Sequence, residues 1–129
     1  MSPAGLSTAA LSFLRGFSFA GQGVWRAVAT QRNMKVHLLA AALVVTGGLV
    51  EGITATDWAC VALAIGLVLT AETLNTVVEA LTDLCTDQYH PLAKAAKDMA
   101  AGAVLLASAA AVGVAAAVFL PRLLGSGHG

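Results

Sequence analysis

The stretch Glu72-Thr-Leu-Asn75-Thr-Val-Val-Glu79-Ala-Leu-Thr-Asp83 sets three carboxylates and a carboxamide at the end of a segment that otherwise reads as a membrane span. Ionisable groups are costly in hydrocarbon, so their presence there is a functional hypothesis by default. At about 100° per residue the four positions fall within an arc of roughly 80° on one helix. Such a stripe can gather metal ions and abstract a proton. Carboxylates suit Mg²⁺, a hard cation usually held by one or two of them plus substrate phosphates. A desolvated carboxylate such as Glu72 can serve as a general base. Ion binding or transport, or pairing with Lys94 and Lys97 for assembly, are the blander uses of the same residues.

The elements that must position this stripe follow from composition. The chain has 129 residues, 58% hydrophobic and 11% charged. That balance is too apolar for an ordinary soluble domain and predicts an all-α integral membrane protein. A first span is predicted over 34–54, where the uncharged run 38–50 reaches spanning length only with its flanks. The second run, 58–71, continues without a breaker into the stripe, which predicts one helix over 57–85 with its last third outside the bilayer core. The third span, 98–120, is the clearest. Its Ala100, Ala103, Ala107, Ala111 and other small residues recur at three- and four-residue steps and favour close helix packing. Residues 58–71 rise about 21 Å at 1.5 Å each, which puts Glu72 near the inner boundary of a core about 30 Å thick. A lipid presents its head-group hydroxyl at that depth, and Asn75, Glu79 and Asp83 continue toward the cytoplasm, where a nucleotide can meet them.

The formal net charge is zero, which excludes a global basic field for nucleic acid. Arg15, Arg26, Arg32 and Lys35 precede the first span, and Lys94 and Lys97 lie between the second and third. Only Glu51 and Asp57 lie between the first two spans. The positive-inside rule then places the N-terminus and the second connection in the cytoplasm. Cys60 and Cys85 are too few for a disulfide scaffold and read as free thiols. The first dozen residues lack the pattern of a cleaved signal peptide, which predicts a mature chain starting near Met1.

Residues 1–10 are small and polar enough to predict fraying. Over 11–31, Phe13, Phe17, Val24 and Val28 can share one side of a helix lying in the membrane interface, with Arg15 and Arg26 snorkelling toward headgroups. Its bland role is anchoring. The connection and helix start over 86–97 are polar, and Pro91 suits the first turn of a new helix. Lys94 and Lys97 are one turn apart on that helix and can meet phosphates or lipid headgroups alike. Residues 121–129 are predicted to form a flexible tail. No Gly-Lys-Ser/Thr ends the segment 16–23, and no Gly-x-Gly-x-x-Gly follows a strand, so any nucleotide site is of another kind. Trp25 and Trp58 fit membrane interfaces.

The joined motifs carry a resemblance. Glu72-x-Leu-Asn75-Thr-x-x-Glu79-x-x-x-Asp83, followed by Tyr89-His90, Lys97-Asp98 and Ala-Val-Leu, resembles the prokaryotic diacylglycerol kinase and undecaprenol kinase family. Arg32-Asn33-Met-Lys35-Val-His37-Leu is similar to the undecaprenol kinase branch in particular. The resemblance implies a homotrimeric lipid kinase of the bacterial inner membrane. Each subunit would have three transmembrane helices plus an N-terminal amphipathic interfacial helix, and the active sites would be shared between subunits. ATP with Mg²⁺ would phosphorylate a lipid alcohol, undecaprenol ahead of diacylglycerol.

By the same resemblance Glu72 matches the general base and Asn75 a polar group supporting it. Glu79 matches the metal ligand, Lys97 a phosphate contact and Asp98 a nucleotide contact. Gln88, Tyr89 and His90 match a loop over the nucleotide, to which Ser12, Phe19 and Gln31 add further contacts. Lipid contacts fall on Phe17, Trp25, Val28, Asn33, Lys35, His37, Glu72 and Ala101. His37 can equally be a satisfied interface histidine, and His90 a helix cap. One departure matters: where the family usually carries a glutamate sharing the metal with Glu79, this chain has Gln31. A carboxamide offers oxygen without charge, so weaker Mg²⁺ binding is expected, with a silent assembly or ion-binding protein as the reading from another class. Thr82, and Phe19 where an aromatic hydroxyl can occur, are lesser departures.

Overall fold

A computed structural model describes residues 3–125, with side chains from residue 7 onward. All its regular structure is helical: α1 (Pro3–Thr30), α2 (Arg32–Glu51), α3 (Ala55–Cys85) and α4 (Pro91–Gly125). At 1.5 Å per residue α2 is about 30 Å long, α3 about 46 Å and α4 about 52 Å. The first matches the hydrocarbon thickness of a bilayer and the other two exceed it. All three are apolar enough to cross a membrane, and this is an integral membrane protein. The expected plan of one amphipathic helix and three spans is the one observed.

Two helix limits differ from expectation. α1 begins at Pro3, not at residue 11, because Pro is favoured in a first helical turn and Ala4, Leu6, Ala9 and Ala10 are good helix formers. Of the segment expected to fray, residues 1 and 2 lie outside the described residues. α4 continues through Pro121 to Gly125, so residues 121–125 of the expected tail are helical, and 126–129 lie outside the described residues. Pro121 has no N–H for the i−4 ladder. Arg122 reinforces the next carbonyl, its Nη1 donating to the Val118 oxygen at 2.6 Å, and holds Asp57 of α3 through Nη2 at 2.8 Å.

By contacts the chain forms two compact units, one ending at Arg32 and the other running from Asn33 onward. In the first, Phe13, Phe17 and Trp25 are exposed, and the rings of Phe13 and Phe17 meet edge to face at 5.0 Å. In the second, α3 packs along α4. Near the α2–α3 hairpin Ile53, Val61 and Val118 are buried against Val44, Trp58, Ile65, Val114 and Phe119.

The hairpin is tight for local reasons. Gly52 takes φ +61°, where only glycine avoids a Cβ clash, and the Ile53 N–H reaches back to the Gly48 oxygen at 3.2 Å. Thr54 and Asp57 then form a capping box on α3. Close approach requires glycine at position 48, since a β-carbon there would lie 2.8 Å from Trp58 Cη2 and 3.0 Å from Ile53 Cδ1. Gly48→Val is therefore expected to destabilise the bundle by about 1–3 kcal/mol, as overpacking does. A lowered thermal midpoint in detergent micelles checks it.

Candidate functional site

The stripe on α3 runs from burial to exposure. Glu72 is 2% exposed and Asn75 7%, whereas Glu79 and Asp83 are open. Asn75 turns toward the small residues Ala100, Ala103 and Ala107 of α4, and Glu72 lies beside His37 of α2. Asn75 Nδ2 donates to Glu79 Oε1 at 3.0 Å, one turn on, which fixes that carboxylate. Asn75 Oδ1 has no partner and is the single buried side-chain polar atom so left among the described residues. Leaving such an atom unpaired costs about 1–3 kcal/mol, an arrangement that suits a group awaiting a ligand. It lines a groove between α3 and α4 with Ala71, Leu74, Ala103 and Ala107. Thr73 and Thr76 spend their hydroxyls on the helix itself, on the Leu69 and Glu72 oxygens.

Among the described residues Glu72 has one ionisable neighbour. His37 Nε2 of α2 lies 3.6 Å from Glu72 Oε2, the imidazole 21% exposed and the carboxylate 3%. Sequence reasoning named both residues and did not join them. Counting from the hairpin brings them only to within about one helical turn of the same depth, His37 about 21 Å from Glu51 and Glu72 about 26 Å from Ala55. His37 also borders an apolar cavity of about 250 Å³ between α2, α3 and α4, walled by residues such as Ala40, Val44, Val68 and Ala111. Ser108 of α4 is its other polar lining residue. It had escaped notice as a functional residue because a lone serine in an alanine-rich span reads as packing.

Beyond Glu79, a cleft of about 530 Å³ at the α3–α4 connection is lined by Asp83, Gln88, Tyr89, His90, Lys94, Lys97 and Asp98. All the loop and α4 residues expected at a nucleotide therefore share one cleft. Both lysines are engaged: Lys97 Nζ with Asp83 Oδ1 at 2.5 Å and Lys94 Nζ with Asp98 Oδ2 at 2.5 Å. Exposed pairs of this kind contribute about 0–1 kcal/mol, so either lysine can exchange its partner at little cost. His90 does cap α4, its Nδ1 accepting from the Leu92 N–H at 3.1 Å. The ring proton of the neutral form then sits on Nε2, which is left able to donate. Asn33 and Lys35 are exposed at the start of α2, and Ala101 is exposed on α4, outside the groove that Asn75 lines. Ser12, Phe17, Phe19, Trp25, Val28 and Gln31 all belong to the N-terminal unit. There Gln31 Nε2 lies 3.4 Å from Thr30 Oγ1.

No group of three or more His, Cys, Asp or Glu side chains converges as a metal cage among the described residues. The donors present still fit Mg²⁺. The exposed Glu79 carboxylate is a hard oxygen donor, and Asn75, whose Nδ2 faces it, brings its own oxygen to the same place when the amide turns over; Mg²⁺ needs only one or two such donors besides phosphates and water.

A carboxylate kept dry inside an apolar bundle, about three turns along the same helix from a polar cleft, suits an enzyme of the lipid kinase class. The chain belongs to the prokaryotic diacylglycerol kinase family, whose model matches residues 18–119. It is 40% identical over 111 residues to the undecaprenol kinase of Bacillus subtilis, covering 86% of this chain and 90% of that protein. It is 46% identical over 114 residues to a diacylglycerol kinase of Synechocystis sp., covering 88% of this chain and 65% of that one. Membership makes the chain an ATP-using lipid kinase.

Proposed function

We propose that this kinase transfers the γ-phosphate of Mg²⁺-ATP to the hydroxyl of undecaprenol at the cytoplasmic face of a bacterial inner membrane. It would act as a homotrimer with its N-terminus in the cytoplasm. The observation that carries the reading is the burial gradient along α3, from Glu72 at 2% exposed to the open Glu79 and Asp83. One helix thereby offers a dry base to a lipid and a wet carboxylate to a nucleotide.

The alcohol oxygen bonds to the γ-phosphorus while its proton passes to Glu72. The bond from that phosphorus to the bridging oxygen breaks, and ADP leaves with the electron pair. Positioning and charge neutralisation supply most of the catalysis in such a transfer. Lys97 exchanges Asp83 for a phosphate, Asp98 contacts the nucleotide, and Gln88, Tyr89 and His90 cover it. Glu79, with help from Asn75, would hold Mg²⁺, which would supply neutralisation of the phosphate charge. Phe17, Trp25 and Val28 line the acceptor's route from the bilayer.

Undecaprenol is favoured by the Arg32-Asn33-Met34-Lys35-Val36-His37 motif and by coverage of 90% of the undecaprenol kinase. The cavity beside His37 also suits it, since a wall apolar but for His37 and Ser108 offers ester carbonyls few donors. Diacylglycerol is the second reading, favoured by the 46% identity. Labelled ATP with a panel of lipid alcohols separates them. Undecaprenol is expected to give the highest kcat/KM, preference for diacylglycerol would reassign the acceptor, and no labelled lipid at all would leave a silent assembly protein. By the family resemblance position 31 would share the metal, so Gln31→Glu is expected to lower the half-saturating Mg²⁺ concentration severalfold, which a Mg²⁺ titration of the initial rate reads.

A further inference from the structure

A base buried as deeply as Glu72 must discharge a proton at every turnover, and its own oxygens have almost no access to water. The side chain is 3% exposed, and Asn75, the neighbouring polar group on the same stripe, turns its amide nitrogen to Glu79. Thr76 bonds the Glu72 backbone oxygen and does not serve its carboxylate. Among the described residues the one ionisable group beside it is His37, 3.6 Å away, five residues from the start of α2, where Arg32, Asn33 and Lys35 are exposed and charged side chains meet headgroups and water.

We infer that His37 is the proton exit of Glu72, relaying to solvent the proton that Glu72 takes from the lipid hydroxyl. The inference rests on Glu72 being the base of the transfer. The separation is just beyond hydrogen-bond range, and a closing movement of under about 1 Å brings Nε2 to donor–acceptor distance. The O–H bond formed on Glu72 breaks, the Nε2 lone pair of the neutral ring takes the proton, and the imidazolium passes one proton to water. Both side chains return to their starting charge, and no other reactant is consumed. Imidazole suits this step because its charge ordinarily changes between about pH 5 and 8.

Few other charges bear on the pair. α3 presents Glu72 itself. α4 faces the cavity beside His37 with Ser108 and apolar residues such as Ala111 and Val114. On α2, Lys35 is exposed two residues earlier. Asp83, Lys97, Lys94 and Asp98 neutralise one another at the connection between α3 and α4.

The test uses the full chain in lipid-containing micelles with undecaprenol and Mg²⁺-ATP in a weak buffer. His37→Ala is expected to lower kcat at least about tenfold while leaving the KM for ATP within about twofold. Added imidazole should restore kcat in a saturable way, and the wild type should ignore it. A purely structural role would not respond to imidazole. Turnover of His37→Ala at the wild-type rate, or a loss that imidazole does not repair in a protein that elutes like wild type, overturns the relay. Should that variant misassemble, His37→Gln, closer in volume, is read through its pH profile. Wild-type kcat should fall as imidazole protonates and the variant should lack that limb, whereas an identical limb overturns the relay. Glu72→Gln assayed alongside separates the two claims, because full activity there removes the base itself, whereas inactivity there with normal His37 variants removes only the relay.

Discussion

Glu72→Gln is expected to lower kcat by about a hundredfold to ten-thousandfold, the range a positioned general base supplies, with the KM for ATP within about twofold. The barrier would rise by about 3–5 kcal/mol. The substitution keeps the volume and removes the site for the alcohol's proton. Because Glu72 is buried on α3 away from the nucleotide cleft, ground-state binding of ATP has no reason to change. Single-turnover transfer from labelled ATP checks this free of product release. A rate within about threefold of wild type would remove Glu72 from the chemistry.

Glu79→Gln is the second large effect. Its carboxylate carries the negative charge of the proposed Mg²⁺ site, since Asn75 offers only a neutral oxygen. Removing that charge should raise half-saturating Mg²⁺ at least about tenfold, by analogy with the cost of weaker disruptions of metal sites. kcat at ordinary Mg²⁺ should fall about a hundredfold, as loss of one electrostatic contact at a reacting oxyanion does. Excess Mg²⁺ should recover part of this loss and none of the loss in Glu72→Gln. Asn75→Ala is the useful companion, because Asn75 Nδ2 holds Glu79 Oε1. A joint variant that loses no more than Glu79→Gln alone would show that the two act as a unit.

Much of this architecture was legible because lipid removes alternatives. A backbone in hydrocarbon must satisfy itself, so apolar runs become helices and acidic residues within them stand out. The start of α4 at Pro91 was legible from proline chemistry, and the early start of α1 and late end of α4 were not. Good helix formers after Pro3 extend α1 where no apolar pattern marks it, and at Pro121 a local breaker is overridden with support from the Arg122 bonds to Val118 and Asp57. The gathering of Gln88, Tyr89, His90, Lys97 and Asp98 at one cleft follows from their closeness in sequence. The Lys97–Asp83 pair does not, since it depends on how residues 86–90 turn the chain between α3 and α4. His37 and Glu72 meet across two helices, and depth from the hairpin announces it only to within about one helical turn. For Ser12, Phe17, Phe19, Trp25 and Val28, spacing gives a helix face and the resemblance gives the roles.

The account depends above all on where the lipid hydroxyl sits. An undecaprenol analogue with a photoreactive group beside its hydroxyl, activated in membranes with the protein and a non-hydrolysable ATP analogue, measures that position directly. Labelled peptides containing Glu72 or His37 are predicted. Labelling confined to the hairpin end, around Trp58 and Val118, would contradict the account.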